Sequence, residues 1–118
     1  MSSPERRSAP RLSSRLPIVL SEDSREVVTH TENISASGAN CVLTKCLPLM
    51  TKLEIRLELP LKPRAKRITC RGVVVRVNPP TPSPKQATYQ TAIFFHDVSE
   101  RDRSALDAFI QQHLQPNA

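Results

Sequence analysis

One segment of this sequence, residues 51–59, restricts the fold more than any other. Four aliphatic residues alternate in it with four charged residues: Leu53, Ile55, Leu57 and Leu59 against Lys52, Glu54, Arg56 and Glu58. A period of two is that of an antiparallel strand with one face in a core and the other in water. The segment therefore predicts a half-buried antiparallel strand.

Five other short segments have the composition of strands, and polar turns, prolines and Gly38 separate them. They cover residues 16–20, 25–35, 39–44, 68–77 and 89–96. Residues 99–114 have a helical pattern instead, with Ser99 as the expected N-cap and an apolar stripe of Leu106, Phe109, Ile110 and Leu114. Six short strands and one C-terminal helix predict a mainly β domain. We expect a small antiparallel barrel or rolled sheet whose open end the helix covers.

The alternation slips in phase within residues 68–77. Ile68 and Cys70 share one face of the predicted strand, whereas the three apolar positions from Val73 to Val77 have the opposite parity. An extra residue at Gly72, a β-bulge, would return all of them to one side. We therefore expect a bulge at Gly72 with these valines in the core.

The length of 118 residues suits one compact domain. Residues 1–14 are rich in Ser, Pro and Arg and nearly free of apolar side chains, so we expect a flexible arm at 1–14 and the barrel with its helix at 15–114. No apolar run is long enough to predict a membrane segment or a signal peptide. Three cysteines without an export signal predict reduced thiols and a cytoplasmic protein.

Motifs for catalysis or metal binding are missing from the sequence. There is no GxSxG, GxGxxG or GxxxxGK[ST] motif and no recognisable pair of glycosidase carboxylates. The three cysteines and three histidines do not have the spacing of a zinc site. We expect a protein that is not an enzyme and that holds neither a metal nor a cofactor.

Positive charge is the more informative feature. Lys and Arg total 17 against 11 Asp and Glu, a formal net charge of +6, and Arg6, Arg7 and Arg11 cluster in the predicted arm. A guanidinium matches the O6/N7 edge of guanine or a phosphate with two parallel hydrogen bonds. The alternative is a solvated basic tail, since the RxxxR spacing also occurs at 11–15 and 67–71.

A second motif, NxSxxG, is formed by Asn33, Ser35 and Gly38. On a strand, Asn33 and Ser35 point to the same face, and Gly38 permits a turn or a close approach of another backbone. Such a patch of donors and acceptors is able to bind the polar edge of a base. An ordinary hairpin turn is the alternative, but the pattern is rare: its chance expectation in this composition is on the order of 0.01–0.02.

An RRxxxR arm, a strand and then NxSxxG resemble the PilZ domain family, whose members are bacterial receptors for cyclic di-GMP. The resemblance extends over nearly the whole chain and includes the segments 71–77 and 93–102. It implies a six-stranded antiparallel β-barrel with a C-terminal helix. It also implies that six residues bind cyclic di-GMP: Arg6, Arg7, Arg11, Asn33, Ser35 and Gly38.

The resemblance further implies a clamp, in which the arm binds phosphates and guanine edges and the sheet binds the second base. The ordered arm would then form a new surface, and we expect a separate protein partner to bind it. Two alternatives are a PilZ-like interaction module that binds no nucleotide and a small basic RNA- or DNA-binding barrel. The aromatic residues argue against the latter, because Tyr89, Phe94, Phe95 and Phe109 lie in patterns typical of a core.

Overall fold

The computed structural model describes residues 11–114, which form an antiparallel sheet and one α-helix. The strands are β1 (Leu12–Ser13), β2 (Pro17–Glu22), β3 (Arg25–Ser35), β4 (Gly38–Leu43), β5 (Lys52–Leu59), β6 (Lys66–Asn78) and β7 (Tyr89–Asp97), and the helix α1 spans Glu100–Leu114. The six predicted strands and the helix are confirmed close to their expected bounds.

Six of the strands close into a barrel. They follow the order β3-β2-β5-β6-β7-β4, and a pairing between β3 and β4 joins the two ends of the sheet. Closure is possible because β3 is long: its first half, from Arg25 to His30, pairs with β2, and its second half, from Thr31 to Ser35, pairs with β4. A closed sheet has no unpaired edge strand. The predicted mainly β fold is therefore confirmed, and of the two sheet forms expected it is the barrel.

β1 is a short additional strand outside the barrel. It continues the line of β2 along β3, with Leu12 opposite Ile34 and Ser13 opposite Asn33. Leu12 is buried. β1 thus lies inside the segment 1–14 for which an arm was expected, because one leucine in that segment packs into the core. Residues 1–10 lie outside the described residues.

A buried threonine fastens the chain between β1 and β2 to β3. The Thr31 hydroxyl donates to the Ser14 carbonyl at 2.5 Å and accepts a hydrogen bond from the Leu16 amide at 3.0 Å. The Leu16 carbonyl in turn accepts from the Thr31 amide at 2.9 Å. These bonds satisfy polar groups where the strand pairing is interrupted. They hold the segment between β1 and β2 against β3.

The alternation in β5 is confirmed, since its aliphatic residues are buried and its charged residues are exposed. In β6 the expected burial is confirmed for Val77, which is 6% exposed, whereas Val73 is half-buried and the placement of Val75 is wrong. The pairing of β6 with β7 shifts twice, between Arg71 and Gly72 and between Val74 and Arg76. Val74 is fully buried and Val75 is 49% exposed. The second shift places Val75 outside the core.

The reason lies in the packing around Gly72. A Cβ on this residue would lie 2.6 Å from Ile55 Cδ1 and 2.8 Å from Ile93 Cγ2. Gly72 is therefore an inward-facing position with no room for a side chain. Every second residue of β6 faces the core as far as Gly72 and Val74. The slip in phase therefore comes after Val74, later in the strand than the sequence pattern suggested.

The helix α1 covers one end of the barrel, as expected. The Ser99 hydroxyl accepts a hydrogen bond from the Asp102 amide at 3.1 Å, which confirms Ser99 as the N-cap. Leu106, Phe109 and Ile110 are at most 1% exposed, and the helix packs on β1, β3, β5 and β6. The side chain of Leu114 lies outside the described residues. Within residues 11–114 no helix combines the length and the apolar character needed to span a membrane.

Replacing Phe109 with alanine tests whether this helix completes the core. Phe109 is fully buried, so Phe109→Ala should lower the free energy of unfolding by about 3–5 kcal/mol. The control Gln112→Ala changes an exposed residue of the same helix and should shift it by no more than about 0.5 kcal/mol. Urea unfolding followed by circular dichroism measures both. Equal stability of the two variants would contradict this packing.

Candidate functional site

The two predicted motifs meet at Asn33, on the outer face of β3. The Arg11 Nη1 donates a hydrogen bond to Asn33 Oδ1 at 2.6 Å. The same oxygen accepts a second bond from Asn40 Nδ2 at 3.1 Å. The pairing of β1 with β3 sets this geometry. Ser13 lies opposite Asn33, and Arg11, two residues before Ser13, comes directly before Leu12 in the chain. The last arginine of the predicted arm is thus bound to the first residue of NxSxxG.

Ser35 has a structural role in the turn between β3 and β4. Its side chain is buried, and Oγ accepts a hydrogen bond from the Ser37 amide at 3.1 Å and donates one to the Gly38 carbonyl at 3.4 Å. Serine hydroxyls that bond two residues onward stabilise tight turns. The predicted contact between Ser35 and a base stays a prediction, whereas its contribution to the hairpin is a feature of the structure.

Gly38 allows β4 to approach β7 closely. A Cβ at this position would collide with the Ile93 carbonyl oxygen and would lie 3.4 Å from Phe94 Cα. No glycine among residues 11–114 has a positive φ, so Gly38 is not required by the turn conformation. Of the two roles expected for Gly38, the structure therefore supports the close backbone approach.

A polar cavity of about 140 Å³ lies beside Asn33. It crosses four neighbouring strands, since Asn33 pairs with Asn40, Asn40 with Ala92 and Ala92 with Arg76. Its lining consists mostly of polar and charged residues: Glu32, Asn33, Asn40, Cys41, Arg76, Asn78, Gln90 and Ala92. The cavity thus carries one guanidinium, one carboxylate and several amides, which suits a ligand with mixed donors and acceptors.

Sequence reasoning missed Arg76. No motif singles it out, and its position depends on the irregularity at Val75, which brings Arg76 opposite Ala92 rather than one residue away. Of the residues predicted for the site, Arg11, Asn33, Ser35 and Gly38 are brought together. Arg6 and Arg7 lie outside the described residues.

Sequence reasoning also misplaced one aromatic side chain. Phe94 was expected in a core-like pattern, but it is 46% exposed, whereas Phe95 is only 2% exposed. Neighbouring residues of a strand point to opposite faces, and Ile93 and Phe95 both point inward. The alternation of buried Ile93 and Phe95 would have placed Phe94 outside, beside the candidate site.

The fold and this site define a small β-barrel module with a polar face next to its N-terminal strand. A family model described as the PilZ domain matches residues 5–112. The chain belongs to the PilZ domain family, as its resemblance predicted, and this family consists of receptor and adaptor modules. The matched span includes all the arginines predicted for the arm and the whole NxSxxG motif.

A solved structure with a similar fold is that of the Bacillus subtilis Inhibitor of motility (MotI/DgrA). The TM-score is 0.78 at 23% sequence identity, and the similarity covers 95% of this chain and 53% of that chain. This chain therefore spans about half the length of that protein, and the similarity is one of fold. A comparison with curated proteins finds no significant match.

The three thiols are free, and two of them are poor nucleophiles. Burial, with a smaller contribution from the nearby Glu32 carboxylate, raises the pKa of Cys41 from 9.0 to about 12. Burial likewise raises the pKa of Cys70 to about 12, with smaller contributions from Asp102 and Asp97. Within residues 11–114, no three His, Cys, Asp or Glu side chains cluster so as to hold a metal ion.

These pKa values predict selective thiol labelling. In the folded protein at pH 8, a disulfide reagent such as DTNB should label the half-exposed Cys46 and leave Cys41 and Cys70 as neutral, buried thiols. In denaturant all three cysteines should react with the reagent. Because the folded pKa of the two buried thiols exceeds the unfolded value, their stabilising effect is complete below pH 9 and declines towards pH 12. Rapid labelling of native Cys41 at pH 8 would contradict this assignment.

Proposed function

We propose that this chain is a receptor for cyclic di-GMP, which it binds on the outer face around Asn33. The observation that carries the proposal is the hydrogen bond between Arg11 and Asn33, which joins the arginine motif and the NxSxxG motif at one place. Cyclic di-GMP has two phosphates and two guanines and carries two negative charges. The site offers the complementary groups: guanidinium donors for phosphate and amides for base edges.

Arg11 is the central residue of this proposal. Its guanidinium has five N–H donors, and the bond to Asn33 uses Nη1. The remaining donors are available to a phosphate or to the O6/N7 edge of guanine. Arg6 and Arg7 complete the arginine motif of the family, and we propose that they bind the nucleotide from the opposite side. Asn33, Ser35 and Gly38 form the wall of the site on the sheet.

The position of β1 lowers the entropic cost of binding. Ordering one residue of backbone costs about 1–2 kcal/mol, and a hydrogen bond to a charged group contributes about 1.5–3 kcal/mol. Folding of the barrel already holds Leu12 and Ser13 in the sheet and Arg11 against Asn33. The nucleotide therefore meets one arginine already in place, and no new bonds are needed to offset the ordering of Arg11.

We further propose that the bound state signals to a separate protein. Nucleotide bound between the arm and the sheet would change the surface that the chain presents at β1 and β3, and a partner could distinguish the two surfaces. The free thiols support the proposal that this happens in the cytoplasm.

A second candidate is an interaction module that binds no nucleotide. It is favoured by the Ser35 side chain, which is buried in the turn, and by exposed apolar residues on the outer surface, among them Leu49 and Met50. In that case the NxSxxG motif would serve the hairpin alone. Binding of the nucleotide itself separates the two candidates.

Calorimetry with cyclic di-GMP tests the receptor proposal. Wild-type protein should bind, and Arg11→Ala should bind at least about 10-fold more weakly, a loss of about 1.4 kcal/mol. The control is Arg15→Ala, which removes an exposed arginine nearby that makes no side-chain hydrogen bond within the described chain. It should bind within about twofold of wild type.

Two outcomes would contradict the proposal in different ways. No heat from the wild type at high micromolar nucleotide would leave the interaction module as the better account. Equal losses from Arg11→Ala and Arg15→Ala would show that net positive charge, rather than the position of Arg11, attracts the ligand. Binding to a polynucleotide is distinguished by salt, because its affinity falls steeply between low and moderate ionic strength.

A further inference from the structure

Phe94 is the exposed aromatic residue nearest to the two motifs along the sheet. It lies in β7, directly opposite Gly38 of β4 on one side and Val73 of β6 on the other. With 46% of its surface exposed, it is an aromatic side chain on the outer face of a barrel whose other phenylalanines, Phe95 and Phe109, are buried. An exposed aromatic ring beside polar recognition groups is a common feature of nucleotide-binding surfaces.

Phe94 lies directly opposite Gly38, the last residue of the NxSxxG motif. The backbones of β4 and β7 approach so closely there that a Cβ on Gly38 would collide with the Ile93 carbonyl oxygen. The turn is also bonded to β7, since the Phe95 amide donates to the Ser37 carbonyl at 2.8 Å. The backbone that carries Phe94 is thus fixed relative to Asn33 and Ser35.

The spacing suits a dinucleotide. β3 and β7 are separated only by β4, so the strand of Asn33 and the strand of Phe94 are about 10 Å apart. The two guanines of cyclic di-GMP lie on opposite sides of its phosphate ring. One guanine near Arg11 and Asn33 would therefore leave the other within reach of β7. In the adjacent row, Asn40 and Arg76 provide donors for the edge of that base or for a phosphate.

We propose that Phe94, which lies directly opposite Gly38 in the sheet, is the stacking surface for one guanine of cyclic di-GMP. This inference rests on the proposed function and adds a base subsite to it. The half-buried Val73, opposite Phe94 on β6, continues the apolar surface on the far side of the ring, and Val75 on the same strand is exposed.

The test compares three substitutions by calorimetry with cyclic di-GMP. Phe94→Leu keeps an apolar side chain but removes the aromatic face, and it should weaken binding about 10-fold. Phe94→Tyr keeps the ring and should stay within about threefold of wild type. The control Val28→Ala shortens another exposed apolar residue, one that lies on the part of β3 paired with β2, and it should leave binding unchanged. Thermal unfolding of each variant checks that the fold is kept.

A second measurement reports stacking directly. A guanine H8 proton above an aromatic ring shifts upfield, so bound cyclic di-GMP should show an upfield guanine resonance in the wild type and in Phe94→Tyr that is absent in Phe94→Leu. Full affinity of Phe94→Leu, with the same guanine resonances as wild type, would overturn the stacking subsite and leave the receptor proposal standing. A wild type that binds no cyclic di-GMP would overturn both.

Discussion

The architecture depends on the hydrogen bonding of one long strand, β3, to three others. Its first half pairs with β2, its second half pairs with β4, and β1 pairs with it beyond the end of β2. The pairing with β4 closes the barrel, and the pairing with β1 attaches Leu12 and Ser13 to it. Both of these pairings include Asn33. The element that completes the fold is therefore also the element that brings the two motifs together.

This arrangement holds one wall of the candidate site in place. Thr31 fixes the link between β1 and β2 through two hydrogen bonds, and Ser35 fixes the turn at the other end of the same segment. Asn33 lies between them, with its oxygen bonded to Arg11 and Asn40. A preorganised wall of this kind reduces the free energy that a ligand must spend on ordering the protein.

The sequence predicted what depends on local patterns. Alternation in β5, the Ser99 N-cap and the spacing of NxSxxG are all local, and the strands, the helix and the family followed from them. What it failed to predict depends on pairing between distant strands. Val75 leaves the core because β6 and β7 shift register there, and the same shift positions Arg76.

Two other misjudgements have different causes. Residues 93–95 form a continuous apolar run, which hides the alternation that places the middle residue, Phe94, outside. Leu12 is a single leucine among polar residues, and no local pattern shows that Ile34 across the sheet gives it a buried position. The burial or exposure of each of these residues can be assigned once the partner strand is known.

The measurement that tests the account most directly is the location of bound nucleotide by intermolecular NOEs. Guanine protons of bound cyclic di-GMP should show contacts to the side-chain amides of Asn33 and Asn40. The barrel offers a second cleft on another face, where Val19 and Arg56 line a shallow basic depression between β2 and β5. Contacts confined to that cleft at saturation, with the Asn33 amide unperturbed, would contradict the central claim that the nucleotide is bound where Arg11 meets β3.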